Sequence, residues 1–248
     1  MSSDLISVVI PTYYRNDRLR EAIAGVRNQT YDNVEIIVVD GSDDERAAAV
    51  ADEYGTRYIH QGEDGGAHAA RSLGAEAARG AYVNFLDDDD RPEPEKLEKQ
   101  LPVLEARSET GVVYCGIRWE NGHPVLPDPE VRGDVLEHAL MFHMTPSSPS
   151  TMLIDGDVLR DILPLQNRHG ADDMGMKIEL AQRCAFDYVD EPLVVKGDGE
   201  DSLGGSRANI EGRLELLDRY ESLYREYPDR VRRVALGHTY LLDAELEL

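Results

Sequence analysis

Residues 85–90 read FLDDDD, two apolar residues followed by four carboxylates, Asp87 to Asp90. Four like charges in a row repel, and each raises its neighbours' affinity for protons. A chain accommodates such a run in two ways: water solvates it on the surface, or something positive sits among the acids. An EF-hand calcium loop is excluded, because the sixth position counted from Asp87 is Pro92, where that loop needs glycine. In an extended D-x-D arrangement Asp87 and Asp89 point to the same side. One can then hold a ribose while the other binds a divalent cation. A second acidic pair, Asp172 and Asp173, opens the pattern DDMGMKIELAQR and suits the positive end of a helix dipole. His169 beside it is a lone loop histidine, a type more often structural or solvated than a ligand.

The elements that must position these residues alternate. Apolar runs at LISVVI (5–10, ended by Pro11), VEIIVV (34–39), TRYIH (56–60) and AYVNFL (81–86) read as strands. Between them, 17–28, 44–54 and 66–79 have helical spacing, and 93–106 follows as a helix that Pro102 can kink. Alternation at this length predicts a mostly parallel sheet with helices on both faces. Thr12, Tyr13, Asp40 and Asp87 each fall just past the C-terminal end of a strand, where open α/β sheets bind nucleotides. The first turn is PTYYRND, without GxGxxG, and no GxxxxGK[ST] occurs. A nucleotide site here needs another device for pyrophosphate, and a carboxylate-held divalent metal, which neutralises two phosphates directly, is the obvious one.

Composition narrows the partners. Among 248 residues, 49 acids face 26 bases, a net charge of −23, and only four of the bases are lysine. This is the balance of a protein soluble at high salt, and it opposes nucleic acid as a partner. It also opposes an anionic membrane unless a local arginine patch or dense salt intervenes. No apolar run approaches the roughly 20 residues that span a bilayer, and the N-terminus lacks the features of a signal peptide. Cys115 and Cys184 are isolated thiols, expected reduced in a cytoplasmic protein, with a disulfide between them left open.

Taken together, SVVIPTYYR, NQTYDNVEIIVVDGSDD, ARSLGAEAARGAYVNFLDDDD and PEKLEKQL resemble the glycosyltransferase family 2 proteins of GT-A fold. The resemblance covers residues 5–106 and continues more weakly to GADDMGMKIELAQR (170–183). It implies an inverting enzyme that moves a sugar from a nucleotide donor, a UDP-sugar first, with Mg²⁺ or Mn²⁺. By position it implies that Pro11, Thr12, Tyr13 and Arg15 frame the base and ribose, and that Asp40 accepts from a uracil N–H. Arg71 resembles the family's arginine near the donor, although the motif here reads ARS, with Ser72 where asparagine is usual. Asp87 and Asp89 resemble the D-x-D carboxylates, with Asp89 the metal ligand. Asp88 is expected in support at the donor site, and Asp88 and Asp90 as supporting or solvent-facing. The general base falls to Asp173, with Asp172 its rival.

The expected division is a GT-A domain over 1–205, nucleotide-binding to about 110 and acceptor-binding from 111, then a helical extension over 206–248. KGDGEDSLGGSR (196–207) reads as a lid or a connector. The C-terminal segment reads as two helices broken at Pro228, with Leu214, Leu217, Tyr220 and Tyr224 as an apolar stripe. These helices can cover the sheet, pair with another subunit or rest on a membrane. The Q-x-x-R-W motif of processive synthases is absent, which favours addition of a single sugar to a glycan or lipid-linked acceptor. A nucleotidyltransferase and a silent nucleotide-sugar binder are the rival classes.

Overall fold

The computed structural model describes residues 4–62, 65–166, 170–197 and 206–246. Four strands build its first half: β1 (Ile6–Thr12), β2 (Val34–Asp40), β3 (Arg57–His60) and β4 (Tyr82–Phe85). They lie parallel in the order β3-β2-β1-β4, joined by α1 (Asn16–Arg27), α2 (Ala48–Tyr54) and α3 (Gly66–Ala77). The strands are apolar on both faces because helices cover both. Val8, Ile10, Ile36 and Val38 pack with Leu19, Ile23, Leu97 and Leu101 on one side. Val9, Ile37, Val39, Val83 and Phe85 belong to the larger cluster on the other. Alternate residues of each strand thus feed two cores. Gly74 lets α3 lie close on β1, since a Cβ there would come within 2.2 Å of Val9.

The second half turns the sheet mixed. In chain order it comprises β5 (Arg91–Pro92), α4 (Lys96–Glu105), β6 (Thr110–Trp119), β7 (Pro124–Val125), α5 (Leu136–Leu140) and β8 (Leu153–Asp155). There follow α6 (Gly156–Arg160), α7 (Asp172–Ala181), β9 (Ala185–Lys196), α8 (Arg207–Arg219), α9 (Glu221–Tyr224) and α10 (Asp229–Leu246). β8 sits antiparallel between β4 and β6, and β9 pairs parallel with β6. Two antiparallel steps restore direction, so β6 and β9 run parallel to β4. Their last residues, Trp119 and Lys196, therefore emerge on the same sheet edge as Thr12 and Asp87. β5 closes that edge antiparallel to β9, with Arg91 opposite Val195.

The expected mostly parallel sheet flanked by helices is present, with three local corrections. β1 runs through Pro11 to Thr12 rather than stopping. The Thr12 carbonyl faces β2, accepting from Gly41 N, so Pro11 faces the β4 side, where β4 has already ended opposite Val9. Proline withdraws no ladder bond there. The helix expected from residue 44 begins only at Ala48, because the preceding loop is wound around Asp40. The C-terminal segment forms three helices, and the apolar stripe is uneven: Leu217 and Tyr224 are buried, while Leu214 is exposed. Leu217, Tyr224, Val231 and Ala235 join the larger core beside Tyr114 and Leu140. Tyr224 also donates to the Leu140 carbonyl at 2.5 Å. No described helix is long and apolar enough to cross a membrane.

Candidate active site

A cleft of about 930 Å³ opens along the C-terminal edge of the strands. Pro11, Thr12, Tyr13, Arg15, Arg71, Asp87, Asp88, Asp89, Asp172 and Asp173 all line it. A second hollow, of about 730 Å³, lies by Thr110 and Cys184 at the opposite edge.

The acid run owes its shape to its two ends. Upstream, the buried Asn84 amide holds the carbonyls of Pro149, Ser150 and Met152, and Ser150 Oγ accepts from Asp87 N at 3.1 Å. Downstream, β5 ties the chain to β9. Between these anchors each carboxylate meets its own cation or donor. Arg71 Nη2 lies 2.6 Å from Asp87, and Thr12 Oγ1 donates to Asp88 at 2.8 Å. Arg15 reaches Asp88 at 3.4 Å and Asp89 at 3.3 Å. Lys196 Nζ lies 2.5 Å from Asp90 and 3.6 Å from Asp87. The run is thus not solvated surface: Asp88 is 6% and Asp90 1% exposed, which sets aside the solvent-facing alternative for both and leaves the supporting one.

Burial alone would raise the Asp87 carboxyl, but Arg71 and Lys196 outweigh it and hold it at about 2. Burial pushes Asp88 up to about 6 against the Thr12 hydrogen bond and Arg15. Burial likewise pushes Asp90 up to about 6 despite Lys196, and the Asp87 charge adds to the rise. Ligand oxygens of Asp87, Asp89 and Asp90 lie within 4.8 Å of one another, the only such group of three among the described residues. Three carboxylates are the hard oxygen donors that Mg²⁺ and Mn²⁺ prefer, so the residues present fit a divalent cation.

Asp172 and Asp173 occupy the first turn of α7 and line the same cleft. Lys177, one turn on, lies 3.1 Å from Asp173 and donates to the Ser147 carbonyl at 3.0 Å. Burial would raise Asp173, but Lys177 and then Arg71 outweigh it and keep the carboxyl below its ordinary value. An ionised carboxylate lining the same cleft as the acid run can accept a proton from a hydroxyl brought into it.

Asp40 sits apart from the residues that line the cleft. It is fully buried. Its Oδ1 accepts from Ser42 N at 2.9 Å and Ser42 Oγ at 2.7 Å. Its Oδ2 accepts from Ala47 N at 3.0 Å and Tyr58 Oη at 3.1 Å. Both oxygens shape the loop after β2. Ser72 is likewise engaged locally. It donates to His68 O and accepts from Leu165 N, tying α3 to the segment before α7. His169 and most of the 196–207 segment lie outside the described residues. Both cysteines are free thiols, Cys115 buried and Cys184 half-buried.

The structure adds cleft residues that sequence reasoning missed, notably Lys196, Gln61, Trp119, Asn209 and Arg213. Lys196 had one signal, a lysine ending the apolar run PLVV in a chain with few lysines. Asn209 and Arg213 come from α8, where Asn209 holds the Gly170 carbonyl at 2.6 Å and Arg213 bonds Asn209 at 2.7 Å. Nothing in their local pattern distinguishes them from a solvated helix face.

Residues 7–162 match the model of the family described as glycosyl transferase family 2. An uncharacterized glycosyltransferase of Rickettsia typhi is 28% identical over 237 residues, 90% of this chain and 71% of that protein. One from Rickettsia prowazekii is 41% identical over 118 residues, 46% of this chain and 36% of that protein. Among solved structures, a mannosyltransferase from Pyrobaculum calidifontis in complex with GDP-Man and Mn²⁺ superposes with a TM-score of 0.69 at 18% identity. That match covers 96% of this chain and 70% of the other. Staphylococcus aureus TarS 1–349 in complex with UDP-GlcNAc gives 0.68 at 18% identity, covering 86% of this chain and 67% of the other. At such identity these two show a shared GT-A fold. With the family model spanning well over half of its length, the chain belongs to glycosyl transferase family 2.

Proposed function

We propose that this glycosyltransferase moves a single sugar from a nucleotide sugar, a UDP-sugar first, to a hydroxyl acceptor with inversion, using Mg²⁺ or Mn²⁺. The observation that carries the reading is the carboxylate trio Asp87, Asp89 and Asp90 in one cleft with ionised Asp173. Asp89, with Asp87 and Asp90, would hold the cation, which supplies charge stabilisation at the departing diphosphate. Pro11, Thr12, Tyr13 and Arg15 form the wall on which base and ribose rest, and Arg71 presents a guanidinium to the donor. Asp88 acts indirectly, fixing Thr12 and Arg15. With Asp40 occupied internally, Gly41 and Gln61 are the cleft residues nearest to hand for a base edge. Asp173 takes the acceptor proton on the opposite face, which inversion demands, and Lys177 holds it ionised. Asp172 is the alternative base.

The two named structural neighbours, one with GDP-Man and one with UDP-GlcNAc, support a nucleotide-sugar donor and leave the base to experiment. We extend the reading to a nucleotide half ending near residue 110, an acceptor half to about 205 and a helical extension beyond. The acceptor is a glycan or lipid-linked sugar. Two free thiols suit a reducing, cytoplasmic setting, with peripheral contact at a membrane face. Thermal shift with UDP- and GDP-sugars, with and without Mn²⁺, tests the proposal. The true donor should raise the melting temperature only when metal is present. Stabilisation by sugar-free nucleoside triphosphates instead of nucleotide sugars would sink it in favour of a nucleotidyltransferase. Donor binding without transfer or hydrolysis would leave a silent binder.

A further inference from the structure

The antiparallel register that sets Arg91 opposite Val195 brings Lys196 opposite Asp90. The ammonium sits 2.5 Å from Asp90 and 3.6 Å from Asp87, two of the three carboxylates grouped closely enough to hold a metal. The third, Asp89, lies 3.3 Å from Arg15, and Asp87 also meets Arg71 at 2.6 Å. Every member of the trio is therefore already neutralised by a cation that belongs to the chain. Gly197 maintains the arrangement, because a Cβ there would come within 2.5 Å of the Asp89 carbonyl oxygen. Only glycine lets the strand end press against the acid run.

A divalent cation entering this cluster meets Lys196 already on two of its ligands, and two cations a few ångströms apart in a partly buried site repel strongly. Displaced into an empty cleft, the ammonium has lost its counter-charges. Displaced when a nucleoside diphosphate is present, it gains new ones. We propose that Lys196 is a tethered counter-ion that competes with the divalent cation for Asp87 and Asp90 and yields to it when a nucleoside diphosphate enters the cleft. Metal and diphosphate then bind with positive coupling, each raising the affinity of the other by the same factor. The proposal rests on the metal reading above and assigns to this chain's own lysine the reason that metal and nucleotide arrive together.

The test is Mn²⁺ binding followed by calorimetry, without turnover, for the wild type, Lys196→Met and Lys196→Arg, with and without UDP. Methionine keeps the buried aliphatic stem and removes the charge, and arginine keeps the charge. Lys196→Met should bind Mn²⁺ alone roughly tenfold or more tightly than the wild type, the size expected from removing one adjacent like charge. Its further gain on adding UDP should shrink, and Lys196→Arg should behave as the wild type. If Lys196→Met fails to fold, Lys196→Gln, neutral and able to donate to Asp90, answers the same question. Unchanged or weaker binding of Mn²⁺ alone by the neutral variant, in a protein whose wild type binds Mn²⁺ with UDP or GDP, overturns the role of Lys196 and leaves the metal reading standing. No Mn²⁺ binding by any of the proteins, with or without UDP or GDP, overturns both.

Discussion

Asp40 and Asp87 leave the same parallel sheet on the same edge, two strands apart, and meet opposite fates. At the exit of β2 the chain folds back over the carboxylate, and Ser42, Ala47 and Tyr58 occupy both of its oxygens. At the exit of β4 the chain makes only a tight turn, Asp90 N donating to the Asp87 carbonyl at 3.1 Å, between the anchors of Asn84 and β5. The acids there take their partners from α3, β9 and the loop after β1, and they line the cleft. A carboxylate at a strand's C-terminal edge therefore lines the cleft only when its own loop leaves it there.

The largest test of this contrast lies in the same cleft, at the start of α7. Asp173→Asn should lower kcat by about 10²–10⁴-fold with donor affinity nearly unchanged, since it removes a proton acceptor and little else. Asp172→Asn should do less harm. A reversed order in steady-state kinetics would exchange their roles, and two active mutants would reduce the pair to a helix start.

At the β2 exit the effect should be on stability. Asp40→Ala strands the Ser42 and Ala47 amides in the interior and should cost about 3 kcal/mol in denaturant unfolding. Nucleotide affinity of the folded fraction should change little. A stable Asp40→Ala protein that has lost UDP binding would break the contrast and return Asp40 to the base.

Lys96 at the start of α4 sharpens the point, being buried like Asp40 but with no hydrogen-bond partner among the described residues. Burial pulls its amine down to about 8, with Cys115 opposing weakly. The unfolded chain holds this proton to about pH 10.4, so the folded state binds it less tightly and stability rises as pH climbs from about 8 towards 10. Below pH 8 the penalty is complete. Lys96→Met should then stabilise the protein by on the order of 2 kcal/mol at pH 7, with the gain vanishing near pH 10. Unfolding curves of both proteins at the two pH values would decide it, and equal stability at pH 7 would contradict it.

Asp89→Asn should leave the melting temperature nearly unchanged and weaken Mn²⁺ binding in the presence of UDP by roughly tenfold, the reverse of the Asp40 pattern. Calorimetry that returns wild-type metal affinity would remove Asp89 from the site. The smallest effect concerns the surface outside both exits. With a net charge of −23, the melting temperature should rise by a few degrees as KCl is raised into the molar range. A flat or falling curve would mean that the acids are already paired locally, as they are in the cleft.

Much of the first half is legible in the sequence because its signals are local. Runs of β-branched residues, helical spacing and the order of motifs all lie within windows of a dozen residues, and the strands appear where those windows predict them. The exceptions are instructive. Pro11 reads as a stop because its partner strand is invisible locally, yet its missing donor matters only on a side where β4 has ended. Ser72 is only a departure from the motif until the fold brings Leu165 to it. Asn209, Arg213 and Lys196 reach the cleft from segments more than 100 residues beyond the acid run, and no window contains both.

The sequence by itself determined the chemical inventory: an α/β order of elements, four acids behind a buried strand, an acidic pair before a later helix, and a family pattern joining them. It did so because propensity, periodicity and motif order act between neighbours along the chain. The tertiary structure alone decided which of those acids line the cleft. Whether a carboxylate is closed over by its own loop, as Asp40 is, or held open and counter-charged from across the sheet, as Asp87 and Asp90 are, depends on strand register. Register follows from burying two apolar faces at once, a condition on the whole sheet that no single segment contains.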